Sequence, residues 1–188
     1  MDAIYTPVFL AIQNRIFEQT DIKHVNMDTG QLLDEQPAIN YPAALIGFTS
    51  AAHTSIGSNA QLGVITISIK VVFDQNSHTS QQQPEAVRIK GLHYYELEQQ
   101  LHRCLQGWAP AYLITNEDES TTDILADVTG YLERTTASVD NTRADLRIRT
   151  LTYTLSVDDY GTMPPQLYAP ISDMGFGCEL IVGDLEDL

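Results

Sequence analysis

The sequence predicts an α+β fold: a mostly antiparallel sheet of about four to five strands, two helices packed on one face, and an extended C-terminal arm. Three observations carry this expectation. Residues 64–73 alternate without a break, with Ile65, Ile67, Ile69, Val71 and Phe73 on one face and Thr66, Ser68 and Lys70 on the other. Two segments near 6–19 and 92–106 repeat apolar residues at helical spacing, and residues 128–157 read as a pair of strands joined by a turn. With 188 residues and 43% hydrophobic composition, one core is expected.

In chain order, Thr6 and Pro7 form a helix opening, with a side-chain acceptor at the N-cap followed by a residue of preset φ that has no amide to leave unbonded. Val8, Phe9, Ile12 and Ile16 then mark a buried stripe up to Gln19. Residues 21–26 read as a short strand, 27–40 as an irregular polar connection with Gly30 and Pro37, and 41–48 as the next strand, with Pro42 near its start. Residues 51–61, mostly small and polar and without periodicity, are expected to form an exposed loop ended by Gly63. Residues 75–84 hold no large apolar side chain and read as a surface arm. The second helix carries Leu97, Leu101, Cys104 and Leu105, with Gly107 placed for a left-handed cap and Trp108 folding back on the last turn. Residues 116–123 read as an acidic loop. The last strand, 144–157, changes phase: Leu146 and Ile148 share one parity, and Leu151, Tyr153, Leu155 and Val157 the other. A one-residue bulge near Arg149 and Thr150 would put both sets on one face. The domain boundary is set after 157, with 158–188 as an acidic arm containing Pro164, Pro165 and Pro170.

Ten Lys plus Arg face 25 Asp plus Glu, a formal net charge of −15, and the pI is near 4.4. No basic residue follows Arg149, so Asp158, Asp159, Asp173, Glu179, Asp184, Glu186 and Asp187 stand unopposed. Such a surface repels phosphate, which argues against specific nucleic-acid binding and against anionic membranes. The first residues lack the basic start and apolar stretch of a secretory signal, and no run approaches a membrane span, so a soluble chain is expected. Cys104 lies on the buried helix face, and a chain this long needs no staple, so Cys104 and Cys178 are read as free thiols.

No chemistry-bearing constellation emerges. His93 and His102 are nine residues apart on one helix and fall on opposite faces, while His24, His53 and His78 lie in separate segments. There is no GxSxG, CxxC, GxGxxG or Walker lysine; Gly175-Phe176-Gly177 reads as a turn. Asn116, Asp118, Ser120 and Asp127 match places in a calcium loop, but Thr121 replaces its glycine and Asp127 its bidentate Glu. The expectation is no catalytic residue, no cofactor and no metal.

The order of helix, three strands, capped helix and final antiparallel pair resembles the tail terminator and tail completion proteins of long-tailed phages, the minor tail proteins at the head-tail joint. The resemblance spans about residues 4–157. It rests on Tyr41-Pro42-Ala43-Ala44-Leu45-Ile46, on Gln61-Leu62-Gly63 leading into the alternating run, and on the helix ending Leu105-Gln106-Gly107-Trp108. It implies a subunit that forms a ring, commonly of six, which ends the tail tube and joins it to the head, in the virion tail and, during assembly, in the bacterial cytoplasm. The implied partners are other copies of the chain, the tail tube and head-neck proteins, with DNA passing through the ring without being gripped. The glutamine-rich insertion and the C-terminal arm depart from the family layout. They supply the expected assembly contacts: Gln75, Asn76, Gln81, Gln82, Gln83, Pro84, Tyr160 and Tyr168. The competing reading is a monomeric, immunity-type module that captures a basic protein through its acidic surface.

Overall fold

The computed structural model describes residues 4–34, 37–57, 60–74, 79–111, 113–115, 121–123, 130–141, 143 and 145–159. Its elements run α1 (Tyr5–Gln19), β1 (His24–Met27), a 3-10 turn (Gln31–Leu33), β2 (Ala43–Gly57), β3 (Ala60–Asp74), α2 (Glu85–Gly91), α3 (His93–Leu105), β4 (Leu113–Thr115), β5 (Thr121–Asp123), β6 (Glu133–Asp140) and β7 (Leu146–Asp159). The main sheet has the order β1-β2-β3-β7-β6; β4 and β5 form a separate pair. Among the described strands of this sheet, only β1 and β2 pair in parallel. The fold is α+β, as the sequence predicts, and the alternating run lies in the middle strand.

Cross-strand partners share a face, so the registers sort the sheet into rows. One face carries Phe48, Ile67 and Tyr153, then Ile46, Ile69 and Leu151, then Ala51, Ile65 and Leu155. It packs on the stripes of α1 (Val8, Ala11, Ile12, Ile16) and α3 (Leu97, Leu101, Cys104, Leu105) to form the main core. A smaller core lies on the opposite face. Ala43, Leu45, Val72, Leu146 and Ile148 meet Leu32, with Ile39 and Tyr41 against them. The connection at 27–40 is therefore an anchored cover and not simply a polar loop. Arg143 pins it by donating from Nη1 to the carbonyls of Leu32 and Asp34.

The second core corrects the reading of the last strand. β7 pairs with β3 from Gln61↔Asp159 to Asp74↔Leu146 without a register shift, so there is no bulge at Arg149 and Thr150. The phase change is real, but each parity serves a different core. Register shifts occur instead in β2, between Phe48 and Ser50 and between Ser55 and Gly57, and in β6, between Arg134 and Thr136.

The expected loop at 51–61 is also corrected: β2 runs to Gly57 and β3 begins at Ala60, and the two stay paired from Ala51↔Ile65 to Gly57↔Ala60. Backbone hydrogen bonds hold this ribbon whether or not its side chains alternate, which is why the pattern missed it. Residues 121–123, placed in an acidic loop, form β5 against β4. Thr6 is not a cap. α1 starts at Tyr5 with Ile4 at the N-cap and no side-chain hydrogen bond there. α2, unpredicted, precedes α3, which begins at His93. Gly107 has φ 71, as expected, but its N–H donates to Leu132 O rather than back into the helix, and Leu132 N–H returns to Trp108 O. The glycine thus ties the end of α3 to the approach to β6. At Gly130 the constraint is close approach, since a Cβ would lie 2.7 Å from Ser156 N.

Two outcomes test this architecture. Ile67→Asp abolishes folding, because a carboxylate buried without a partner costs several kcal/mol against a stability of about 5 to 15; Thr66→Asp, on the half-open opposite face, still folds. Ile148→Ala lowers stability by about 2 to 4 kcal/mol in urea melts followed by circular dichroism. A change within about 0.5 kcal/mol, as expected of an exposed side chain, would remove the second core.

Candidate assembly surfaces

Three surfaces stand out where the fold leaves its groups uncovered or holds them in an unusual setting. The first is the pair of sheet edges. β1 lies beside β2 only from Ala43 to Ile46, so from Phe48 to Gly57 the outer edge of β2 has no neighbouring strand among the described residues. At the other side of the sheet, β6 pairs, among the described residues, only with β7 and is exposed at most positions on both faces. Each edge carries aromatic or apolar groups in the open. Tyr5 stacks edge-on to Phe48 at 5.1 Å beside the β2 edge, and Val139 lies on β6, which Tyr131 immediately precedes.

The second surface is the sheet face away from α1 and α3. Above its small core it is carpeted with hydroxyls: Ser50, Thr66 and Thr154 in one row, then Ser68, Thr152 and Thr136, then Thr150 and Ser138. Its cation, Lys70, is neutralised by Asp28 at 2.7 Å.

The third is a cleft where α3 crosses the end of the sheet. Two arginines of β7 point inward toward α3 because they share parity with Leu151 and Tyr153. Arg149 makes a bidentate pair with Glu98, both bonds 3.0 Å, clasping the helix to the strand. Arg147 lies over Tyr94 at 3.8 Å, and Phe73 meets the same ring edge-on at 5.7 Å. Burial pushes the Tyr94 phenol up to about 12, and the hydrogen bond with Tyr95 adds to the rise, so the ring is a neutral platform for the cation. Pairing with Glu98 holds Arg149 more firmly protonated than an ordinary guanidinium. Sequence reasoning missed this cleft. The available signal was Arg147-Ile148-Arg149 inside a strand, where arginines on a core-facing parity need partners.

Of the expected contacts, Gln81, Gln82, Gln83 and Pro84 are exposed in a turn leading into α2. Gln75, Asn76, Tyr160 and Tyr168 lie outside the described residues, as do Cys178, His78, Gly175 to Gly177, and Asn116, Asp118, Ser120 and Asp127. His93 is paired with Glu96 at 3.1 Å on the helix surface, and His102, its pKa lowered by burial, sits apart from it. No cluster of three or more His, Cys, Asp or Glu placed to hold a metal occurs among the described residues. No helix there is long and apolar enough to cross a membrane.

No protein-family model and no curated protein matches the chain. Among solved structures, one chain of the virion of a native gene transfer agent (GTA) particle is similar over 85% of this chain and 100% of that one, with a TM-score of 0.43 and 11% identity. A likeness this faint carries no argument about role, which rests on the surfaces themselves.

The clasp and the buried thiol give two measurable expectations. Arg149→Met strands the Glu98 carboxylate, which is 8% exposed, and destabilises the fold by about 3 kcal/mol; Glu98→Met with Arg149→Met recovers most of that loss in urea titrations. Cys104, its thiol pushed up to about 11 chiefly by burial, resists a thiol reagent at pH 8 until denaturant is added. Labelling at the native rate of a small-molecule thiol would show that α3 opens.

Proposed function

We propose that this chain is a ring-forming structural subunit of a phage or prophage tail, ending the tail tube and joining it to the head. The observation that carries the reading is that, among the described residues, one sheet ends in two different unpaired edges, β2 beyond Phe48 and β6. When the two edges of a subunit differ, joining one to the other is a heterologous contact, which closes into a ring or continues as a filament. β6 and β2 run in opposite directions within the sheet, so a neighbour's β6 laid along β2, with the ring axis along the strands, extends the ladder antiparallel.

The hydroxyl face suits the wall of a passage for DNA. Its lysine is already neutralised by Asp28, and the chain carries −15 overall, so phosphates gain little from contact with it. In this reading the exposed Gln81, Gln82, Gln83 and Pro84, with Gln75, Asn76 and the arm bearing Tyr160 and Tyr168, meet neighbouring copies, the tail tube or head-neck proteins. The resemblance in layout to tail terminators supports reading the station as the end of the tail.

The test is native mass spectrometry and electron microscopy of the protein alone at high concentration and with its tail tube. A closed ring is expected in at least one condition. Proline substitutions at Ser138 and Val139 sharpen it, because adjacent residues of a strand send their N–H groups to opposite sides. The one whose N–H faces away from β7 leaves the melting temperature nearly unchanged and blocks the ring, whereas the other destabilises the fold. Absence of any ring in both conditions, together with a tight one-to-one complex with a basic protein, would establish the monomeric binding module instead.

A further inference from the structure

The cleft beside α3 encloses about 240 Å³ between an apolar floor of Phe73, Tyr94 and Leu97 and a wall bearing Lys90 and Arg147, with Asp74 as its carboxylate. In a chain with 25 acids and 10 bases, a pocket whose described lining holds more cations than carboxylates is a local reversal. Arg147 lies in that wall with its guanidinium stacked on Tyr94, which holds the positive charge at the edge of the apolar floor. The chemistry that fits is an extended segment with an apolar side chain flanked by carboxylates.

We propose that the cleft seats residues 179–188 of the same chain, Glu179-Leu180-Ile181-Val182-Gly183-Asp184-Leu185-Glu186-Asp187-Leu188, with a carboxylate against Lys90 and Arg147 and a leucine on the aromatic floor. This deepens the proposed function, since it rests on reading 158–188 as an arm, but it does not require the ring. The charges are complementary: the segment has four acids and no base. The reach also suffices. Asp159 lies opposite Gln61 at one end of β7, and Leu146, next to Arg147, lies opposite Asp74 at the other. At about 3.3 Å per residue that end-to-end separation is roughly 40 Å, and the twenty residues from 159 to 179 span up to about 65 Å. The surplus allows the chain to reverse direction and return along the sheet.

Carbodiimide cross-linking of the full-length protein at low concentration, read by mass spectrometry, tests the seat. The chain has three lysines, Lys23, Lys70 and Lys90. Lys70 should link to Asp28, its 2.7 Å partner, which reports a native sheet in every sample. Lys90 should link to Asp184, Glu186 or Asp187 of its own chain, with Lys23 and Lys70 making no such link. Arg147→Gln should cut that yield several-fold while the Lys70–Asp28 link persists. Leu185→Asp, in the segment and outside the described core, should do the same. The proposal is overturned if the sheet control is intact and Lys90 never links to the segment. It is equally overturned if, in a mixture of isotopically light and heavy protein, the links form only between copies. Native mass spectrometry scores the ring separately: no ring with the Lys90 link present would remove the assembly reading and leave the seat standing.

Discussion

The structure depends on the unbroken antiparallel pairing of β3 with β7, from Gln61↔Asp159 to Asp74↔Leu146. Because no residue is inserted in either strand, parity is preserved along the whole ladder, and every side chain on these two strands is committed to one face or the other. The odd positions of both strands supply the core under α1 and α3, and the even positions near the Asp74 end supply the smaller core with Leu32, Ala43 and Leu45. The same parity turns Arg147 and Arg149 toward α3. An arginine facing a helix needs a partner: Glu98 pairs Arg149 at 3.0 Å, and Tyr94 gives Arg147 a ring to stack on at 3.8 Å but no hydrogen bond to its buried Nε. The position of α3 on the sheet is therefore fixed by polar pairing as well as by its leucines.

Much of this was legible in the residues. The run at 64–73 and the stripe Leu97, Leu101, Cys104 and Leu105 are unambiguous because burial on one side imposes a period, and Gly107 is legible because a left-handed turn favours glycine. β7 is the instructive exception. Its phase change at Arg149 implies a bulge only if the strand serves a single core, and it serves two. Leu32, in a polar-looking connection, completes the second core with Ile39 and Tyr41 against it, and nothing in a local window shows that it converges on Val72 and Ile148.

The candidate surfaces were less visible for a related reason. The strand between Ala51 and Gly57 is held by backbone pairing to Ala60–Ile65 and carries few apolar side chains, so periodicity is silent about it. Whether a strand is an edge depends on the length of its neighbour: among the described residues, β2 is open beyond Phe48 because β1 stops after pairing Met27 with Ile46. The hydroxyl face is likewise a property of register. Ser50, Thr66 and Thr154 are far apart in sequence and become one row only when three strands are aligned.

An open edge of this kind is normally protected locally, by lysine, proline or an inward charge. β2 has none of these: from Ala43 to Gly57 it contains no Asp, Glu, Lys, Arg or Pro. β6 carries Glu133, Arg134 and Asp140, so laying β6 along β2 brings no like charges into opposition, whereas laying β6 on another β6 would. Protection against premature pairing falls instead to the whole molecule. A net charge of −15 repels other copies over a Debye length of about 8 to 10 Å, which slows encounters but adds little once a ladder of backbone hydrogen bonds has formed at contact distance. In the proposed ring, local pairing preference and global repulsion act at different ranges: the edges would set which surfaces join, and the acidity would set how readily they meet. That division would suit a subunit that stays dispersed until a template concentrates it, with the control of assembly in the charge of the chain rather than in the edge strands themselves.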